Sequence, residues 1–230
     1  EESMGERGLT ISGIGGPPFQ GVAPDRPIHL GNSGTSMRLL TAVAALMPGK
    51  TVLTGTDRMR RRPVGDLLDG LSQIGVSARS VNGDGCPPVA VTPPVAGPKG
   101  GRVALDCGVS SQFLSALLLI APYTADGVEI EVTRGPVSRP YIDLTVEVMD
   151  RLGVSIVRNG YTRFSVSGGR TYRPSDYHVE PDASNASYFW ASAAVTGGTV
   201  TVAGLGPDSR QGDLKIVDLL ADMGCRVERE

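Results

Sequence analysis

The chain has 230 residues, with 22 Lys and Arg against 24 Asp and Glu and a net charge of −2, so it lacks the basic excess that marks a nucleic-acid binder. Hydrophobic residues make up 40% and the mean hydropathy is −0.02, which excludes a disordered chain and fits one large or two small cores. The longest apolar stretch, residues 113–122, falls far short of the roughly 20 residues that span a bilayer, and no charged leader opens the sequence; neither a membrane protein nor a secreted one is expected.

Residues 9–13 read as a short strand. A helix is expected over 35–47, followed by a β-branched strand at 51–54. Val64, Leu67, Leu68, Leu71 and Ile74 share one helical face that stops at Gly75 and runs into a strand at 76–78. Residues 93–98, rich in Pro, read as an exposed connection. A strand at 103–106, a helix at 111–121 and a strand at 128–132 come next. Ile142, Thr145, Val146, Met149 and Leu152 then form a second face that ends at Gly153, with strands at 154–157 and 164–166. After an exposed stretch at 168–175, residues 177–180 open a third unit. It holds a helix at 184–195, a strand at 199–202, and Ile216, Val217, Leu220 and Met223 running into Gly224.

This order is an internal repeat. The three helix stops, Gly75, Gly153 and Gly224, lie 78 and 71 residues apart, and an earlier helix and strand keep step with each. Each period reads strand, helix, strand, helix, strand, strand, an α/β architecture of βαβαββ units whose amphipathic helices pack on one another. The middle copy is complete in this reading. The first is represented by its later part, preceded by residues 9–13, and the third stops just after Cys225, so the chain is expected to be cut at both ends of a repeating architecture. The boundary is expected to divide residues 1–178, one domain, from 179–230, an incomplete first repeat of a second.

Cys86, Cys107 and Cys225 are odd in number and widely spaced, with only His29 and His178 as imidazole partners. They fit idle thiols in a reducing cytoplasm better than a metal site, and no metal is expected. Asn185-Ala186-Ser187 matches a glycosylation sequon, a pattern too short to carry weight without a secretion signal. The nucleotide motifs fail: Gly49-Lys50-Thr51 lacks the glycine a P-loop needs at position 44 and follows a helix, and Gly13-Ile14-Gly15-Gly16 runs into Pro17-Pro18.

What remains is a set of polar helix starts. Asn32, Ser33, Gly34 and Thr35, with Arg38 one turn in, place small residues and free N–H groups where a helix dipole favours an anion; ordinary capping by Asn32 or Ser33 is the competing reading. Ser110, Ser111 and Gln112 open the equivalent helix of the next unit, where either Ser could be a cap. Arg58, Arg60, Arg61 and Arg62 precede the Val64 helix, and Ser138, Arg139 and Tyr141 stand at the matching point one unit later. Arginines at a helix N-terminus oppose the dipole, a conflict that a phosphate or carboxylate ligand would resolve.

LGNSGTSMR at 30–38, RMRRRP at 58–63, SSQFLSALLL at 110–119, VSRPYIDLT at 137–145 and PDASNASYF at 181–189, in this order, resemble the 5-enolpyruvylshikimate-3-phosphate synthase family. The resemblance implies an inside-out α/β barrel of the enolpyruvyl transferase type, six repeats in two domains that close over substrate. It implies that Ser110, Ser111, Gln112, Ser138 and Tyr141 meet shikimate 3-phosphate, that Gly34, Arg62 and Gln112 meet phosphoenolpyruvate, and that Asn32, Thr35, Arg38 and Arg139 support them. No cofactor is implied; the expected partners are these small molecules, with no nucleic acid and no membrane, in a mostly monomeric cytoplasmic enzyme. The inhibitor glyphosate would lie against Gly34. The family's acid and base residues have no counterpart here, Glu180 and Asp182 not being those acids, so the chain alone is expected to be inert, and a cut end would allow self-association. Leu39 stands where a proline is common and Pro181 where glycine is. Two other readings stay open, a non-catalytic anion-binding module and a relative of UDP-N-acetylglucosamine enolpyruvyl transferase.

Overall fold

The structure, a computed structural model, describes residues 23–206 and 208–229. The strand expected at 9–13 and the Gly13–Gly16 turn lie outside the described residues. Among the described residues, two four-stranded sheets carry the fold. The first pairs β1 (Ile28–His29), β2 (Thr51–Thr54), β4 (Val89–Thr92) and β3 (Ser77–Ser80) in that spatial order; the second pairs β5 (Gly101–Asp106), β6 (Val128–Arg134), β8 (Arg163–Val166) and β7 (Val157–Asn159). In both, the first two strands are parallel and the other two add antiparallel. The repeat read from the sequence is thus a repeat of topology.

The first unit is complete, which corrects the expectation that only its later part is present. Its opening strand, β1, is two residues long and carries no alternation that a sequence could reveal. Helices α1 (Gly34–Ala44), α2 (Gly65–Gln73), α3 (Gln112–Ile120) and α4 (Arg139–Arg151) supply the parallel crossovers and lie on the inner faces of the sheets. Outer strand faces are polar. Arg102 and Arg163 flank Glu129 at 3.6 and 3.8 Å there, exposed pairs of little energetic weight.

Helix α3 is the centre of the core. Phe113, Leu114, Ala116, Leu117, Leu118 and Ile120 are all buried, and α1, α2 and α4 pack around it. Gly70 on α2 allows this approach, because a Cβ there would come within 2.9 Å of Leu117 Cδ1 and 3.3 Å of Leu105 Cδ1.

The three helix stops close identically. Val76 N donates to Leu71 O, Val154 N to Met149 O and Cys225 N to Leu220 O, while Gly75, Gly153 and Gly224 stand at φ +88, +85 and +97. This is the glycine-terminated closure that satisfies the last carbonyls of a helix. It also corrects the strand expected at 154–157: Val154 is committed to the helix stop, so pairing begins only at Val157. The strand expected at 199–202 does not form. The described residues place no strand beside 199–202, and a lone strand has no ladder to join. The third unit is helical, with α5 (Ala183–Thr196) and α6 (Lys215–Asp222) packed on each other.

Candidate functional site: an arginine pair over the Gly34 helix start

Ser33 caps α1, its hydroxyl accepting from Ser36 N at 3.2 Å, while Asn32 is exposed beside it. The loop after β2 is fastened to this start by Thr56 N donating to Gly31 O at 2.9 Å. It then makes a short 3-10 turn, Met59–Arg61, anchored by the wholly buried Met59. The arginine run therefore does not sit together on α2, which begins only at Gly65: Arg58, Arg60 and Arg61 are exposed, and Arg62 alone turns inward. Its guanidinium lies on Gly34, so close that an added Cβ would meet Arg62 Nη1 at 2.3 Å and Arg38 Nη1 at 2.5 Å.

Arg38 is 3% exposed. It donates through Nη1 to Gly34 O (3.1 Å) and Gln112 Oε1 (3.2 Å), and through Nη2 to Pro63 O (3.3 Å), linking the starts of α1, α3 and α2. Its Nε is buried with no partner among the described residues. Burial first, and then the neighbouring Arg62 charge, lowers its pKa from the ordinary arginine value. Among the described residues neither arginine pairs with a carboxylate. Two cations packed together without a counter-ion form a site of positive potential, which an anion would stabilise.

Arginine has no acceptor, so Gln112 must turn its oxygen toward Arg38. Its Nε2 is then the donor and bonds Thr35 Oγ1 at 2.9 Å. At the start of α3, Ser110 makes the capping contact, accepting from Gln112 N at 3.2 Å, and Ser111 is buried, 4% exposed. The loop that carries them is braced by Asp106, which accepts from Gly108 N at 2.8 Å and from Arg134 Nη2 at 2.9 Å. The Gly108 N–H, with Arg134 after it, holds the Asp106 carboxyl below the usual carboxylate range. Sequence reasoning missed this brace, although Asp-x-Gly after a strand is a turn signal.

Ser138, at the start of α4, stands at φ +52, ψ +48, a left-handed conformation that costs a non-glycine residue about 1 kcal/mol or more. Its hydroxyl makes no capping bond, although Ser is well suited to one. Strain of this kind concentrates at ligand sites. Ser115 and Thr145 bond at 2.7 Å and tie α3 to α4 one turn in from these starts. Arg139 does not join the arginine pair; its guanidinium covers the Tyr161 ring, 4.8 Å from the centroid. Tyr141 reaches toward the third unit. The structure therefore brings together Gly34, Thr35, Arg38, Arg62 and Gln112, sets Ser110 and Ser111 beside them, and turns Arg139 away.

The family profile described as EPSP synthase (3-phosphoshikimate 1-carboxyvinyltransferase) matches residues 10–230. The chain belongs to the EPSP synthase family. It is 47% identical over 200 residues to the 3-phosphoshikimate 1-carboxyvinyltransferase of Methanoculleus marisnigri, covering 87% of this chain and 47% of that one. It is 45% identical over 223 residues to the chloroplastic protein of the same name from Arabidopsis thaliana, covering 94% and 43%. An EPSP synthase structure from Acinetobacter baumannii superposes with a TM-score of 0.66 at 25% identity, over 85% of this chain and 43% of that one. The inside-out α/β fold of enolpyruvyl transferases is thereby established for it. The chain spans about half the length of the curated relatives it matches.

Cys107 follows the Asp106 brace and is wholly buried. Burial, and then the charges of Asp106 and Asp66, push its thiol up to about 12. At pH 8 it carries almost no thiolate, and the thiolate is the reactive form. Iodoacetamide on the folded chain is expected to label Cys86 and Cys225 and spare Cys107; mass spectrometry showing Cys107 labelled first would contradict this placement.

Proposed function

We propose that this chain is the substrate-binding part of a shikimate-pathway transferase that moves the enolpyruvyl group of phosphoenolpyruvate onto the 5-hydroxyl of shikimate 3-phosphate and releases phosphate. The observation that carries the reading is the pair of guanidiniums over Gly34, unmatched by any carboxylate among the described residues, in a chain of this family. Phosphoenolpyruvate would meet the Gly34 backbone, Arg62 and the Gln112 amide. Each charge-assisted hydrogen bond there is worth about 1.5–3 kcal/mol, and the same donors would offset charge on the departing phosphate. Shikimate 3-phosphate would be held by Ser110, Ser111, Gln112, Ser138 and Tyr141. Asn32, Thr35 and Arg38 would support the α1 side; Arg139, stacked on Tyr161, would act only through α4.

We place the domain boundary near residue 178. Both sheets precede it, and α5 and α6 pack on each other beyond it. A cytoplasmic location belongs to the proposal, supported by three free thiols, while plant relatives are named as chloroplastic.

Calorimetry tests the reading. Shikimate 3-phosphate should release heat on binding the chain, and Ser110→Ala with Ser111→Ala should abolish it in a chain that still folds, its thermal midpoint lowered by only the few degrees that a lost helix cap costs. Binding of UDP-N-acetylglucosamine in its place would assign the chain to the other branch of the transferases. No heat with either would end the proposal.

A further inference from the structure

The start of α4 is fastened to the third unit by side chains that, Tyr141 aside, the substrate reading leaves unused. Tyr141, in the first turn of α4, donates its phenolic hydrogen to Asp213 Oδ2 at 2.8 Å. Ser184, in the first turn of α5, donates to the same oxygen. One turn and a half further along α4, Glu147 Oε2 accepts from Arg210 Nε at 2.6 Å. Between these two contacts the chain fits closely, since a Cβ on Gly212 would lie 3.0 Å from Pro140 Cγ. Residues 210–213 thus dock on α4 at three points, two polar and one steric.

The Tyr141 contact has a chemical consequence. The Ser184 hydroxyl, and then that of Tyr141, hold the Asp213 carboxyl below its usual range, so at neutral pH it is an acceptor only. A phenol has one hydrogen to give, and here it is given to Asp213. What the oxygen keeps is lone pairs, and lone pairs repel the oxygens of a phosphate or carboxylate and accept from a hydroxyl.

We infer that Asp213 is a positioning residue of the substrate site: by accepting the one hydrogen bond Tyr141 can donate, it makes Tyr141 an acceptor for a ring hydroxyl of the substrate instead of a donor to its anionic groups. The inference rests on the functional reading above and adds to it which part of the substrate Tyr141 reads. It also makes the site a joint product of the two sheet-bearing units and the third.

The test uses calorimetry of the chain with shikimate 3-phosphate, and inorganic phosphate as the anion probe. Asp213→Ala should weaken shikimate 3-phosphate about tenfold, the worth of one hydrogen bond, and leave phosphate affinity unchanged or raised. Asp213→Asn keeps an acceptor oxygen and should restore most of the loss. Tyr141→Phe should lose as much as Asp213→Ala, and the double variant no more than either. A merely structural tie would lower the thermal midpoint in all variants and weaken both ligands alike, which would overturn the inference. Unchanged shikimate 3-phosphate binding in Asp213→Ala would overturn it alone; no heat with the unaltered chain would overturn it together with the functional reading.

Discussion

Gly34→Ala is expected to lower the thermal midpoint of the chain by several degrees and to weaken phosphoenolpyruvate binding by at least tenfold. The added methyl must displace something, because its position lies 2.3 Å from Arg62 Nη1, 2.6 Å from Arg62 Cζ and 2.5 Å from Arg38 Nη1. The two arginines yield unequally. Arg38 is 3% exposed and holds three carbonyl or amide oxygens, so relieving its 2.5 Å approach costs part of that network. Arg62 is half-buried, ends in a flexible side chain and has no side-chain partner among the described residues, so its guanidinium swings away at small cost. Alanine suits a helix better than glycine by up to about 1 kcal/mol, which offsets part of the disturbance. Binding has no such offset. Losing one charge-assisted contact costs about 1.5–3 kcal/mol, and 1.4 kcal/mol is already about tenfold in affinity. Arg62→Ala should reproduce the loss. Calorimetry with phosphoenolpyruvate, run with shikimate 3-phosphate present, reads both variants; undiminished affinity in Gly34→Ala would show that the ligand does not lie on this face.

The parts of this site visible in the sequence are those fixed by local rules. Gly75, Gly153 and Gly224 announce their helix stops because a left-handed residue is needed there, and each stop closes with the same hydrogen bond. Ser33 and Ser110 announce helix starts, because small hydroxyl residues satisfy free N–H groups. The strands were less legible. Ser77–Ser80 is polar and half-exposed, Ile28–His29 is only two residues, and each is a strand because a neighbour offers it a ladder. The lock on the arginine pair was not legible at all. Arg38 meets Gln112 across 74 residues and Tyr141 meets Asp213 across 72, and no periodicity records which way a helix start will face. The arginine run shows the same limit: composition supplies four cations, but a buried Met59 and one 3-10 turn decide that only Arg62 reaches Gly34.

Phe113→Ala should cost about 3–5 kcal/mol of unfolding free energy, the range for emptying a buried phenylalanine site. That is a fifth or more of the stability of an ordinary domain. The ring is wholly buried in the first turn of α3, the helix that α1, α2 and α4 all pack against, so its neighbours cannot collapse into the space without moving a helix start. It also lies beneath Arg38, whose Cζ is 5.6 Å from the ring centroid, within cation–π range. The same residue therefore supports the core and the guanidinium that orients Gln112. Urea unfolding should show a lowered midpoint at an unchanged slope, and Phe113→Leu, which keeps most of the volume, should lose far less. Binding separates the two roles: under conditions where Phe113→Ala remains folded, shikimate 3-phosphate and phosphoenolpyruvate should still bind more weakly than to Phe113→Leu. Equal affinities would mean that α3 holds Ser110, Ser111 and Gln112 in place without help from the ring beneath them.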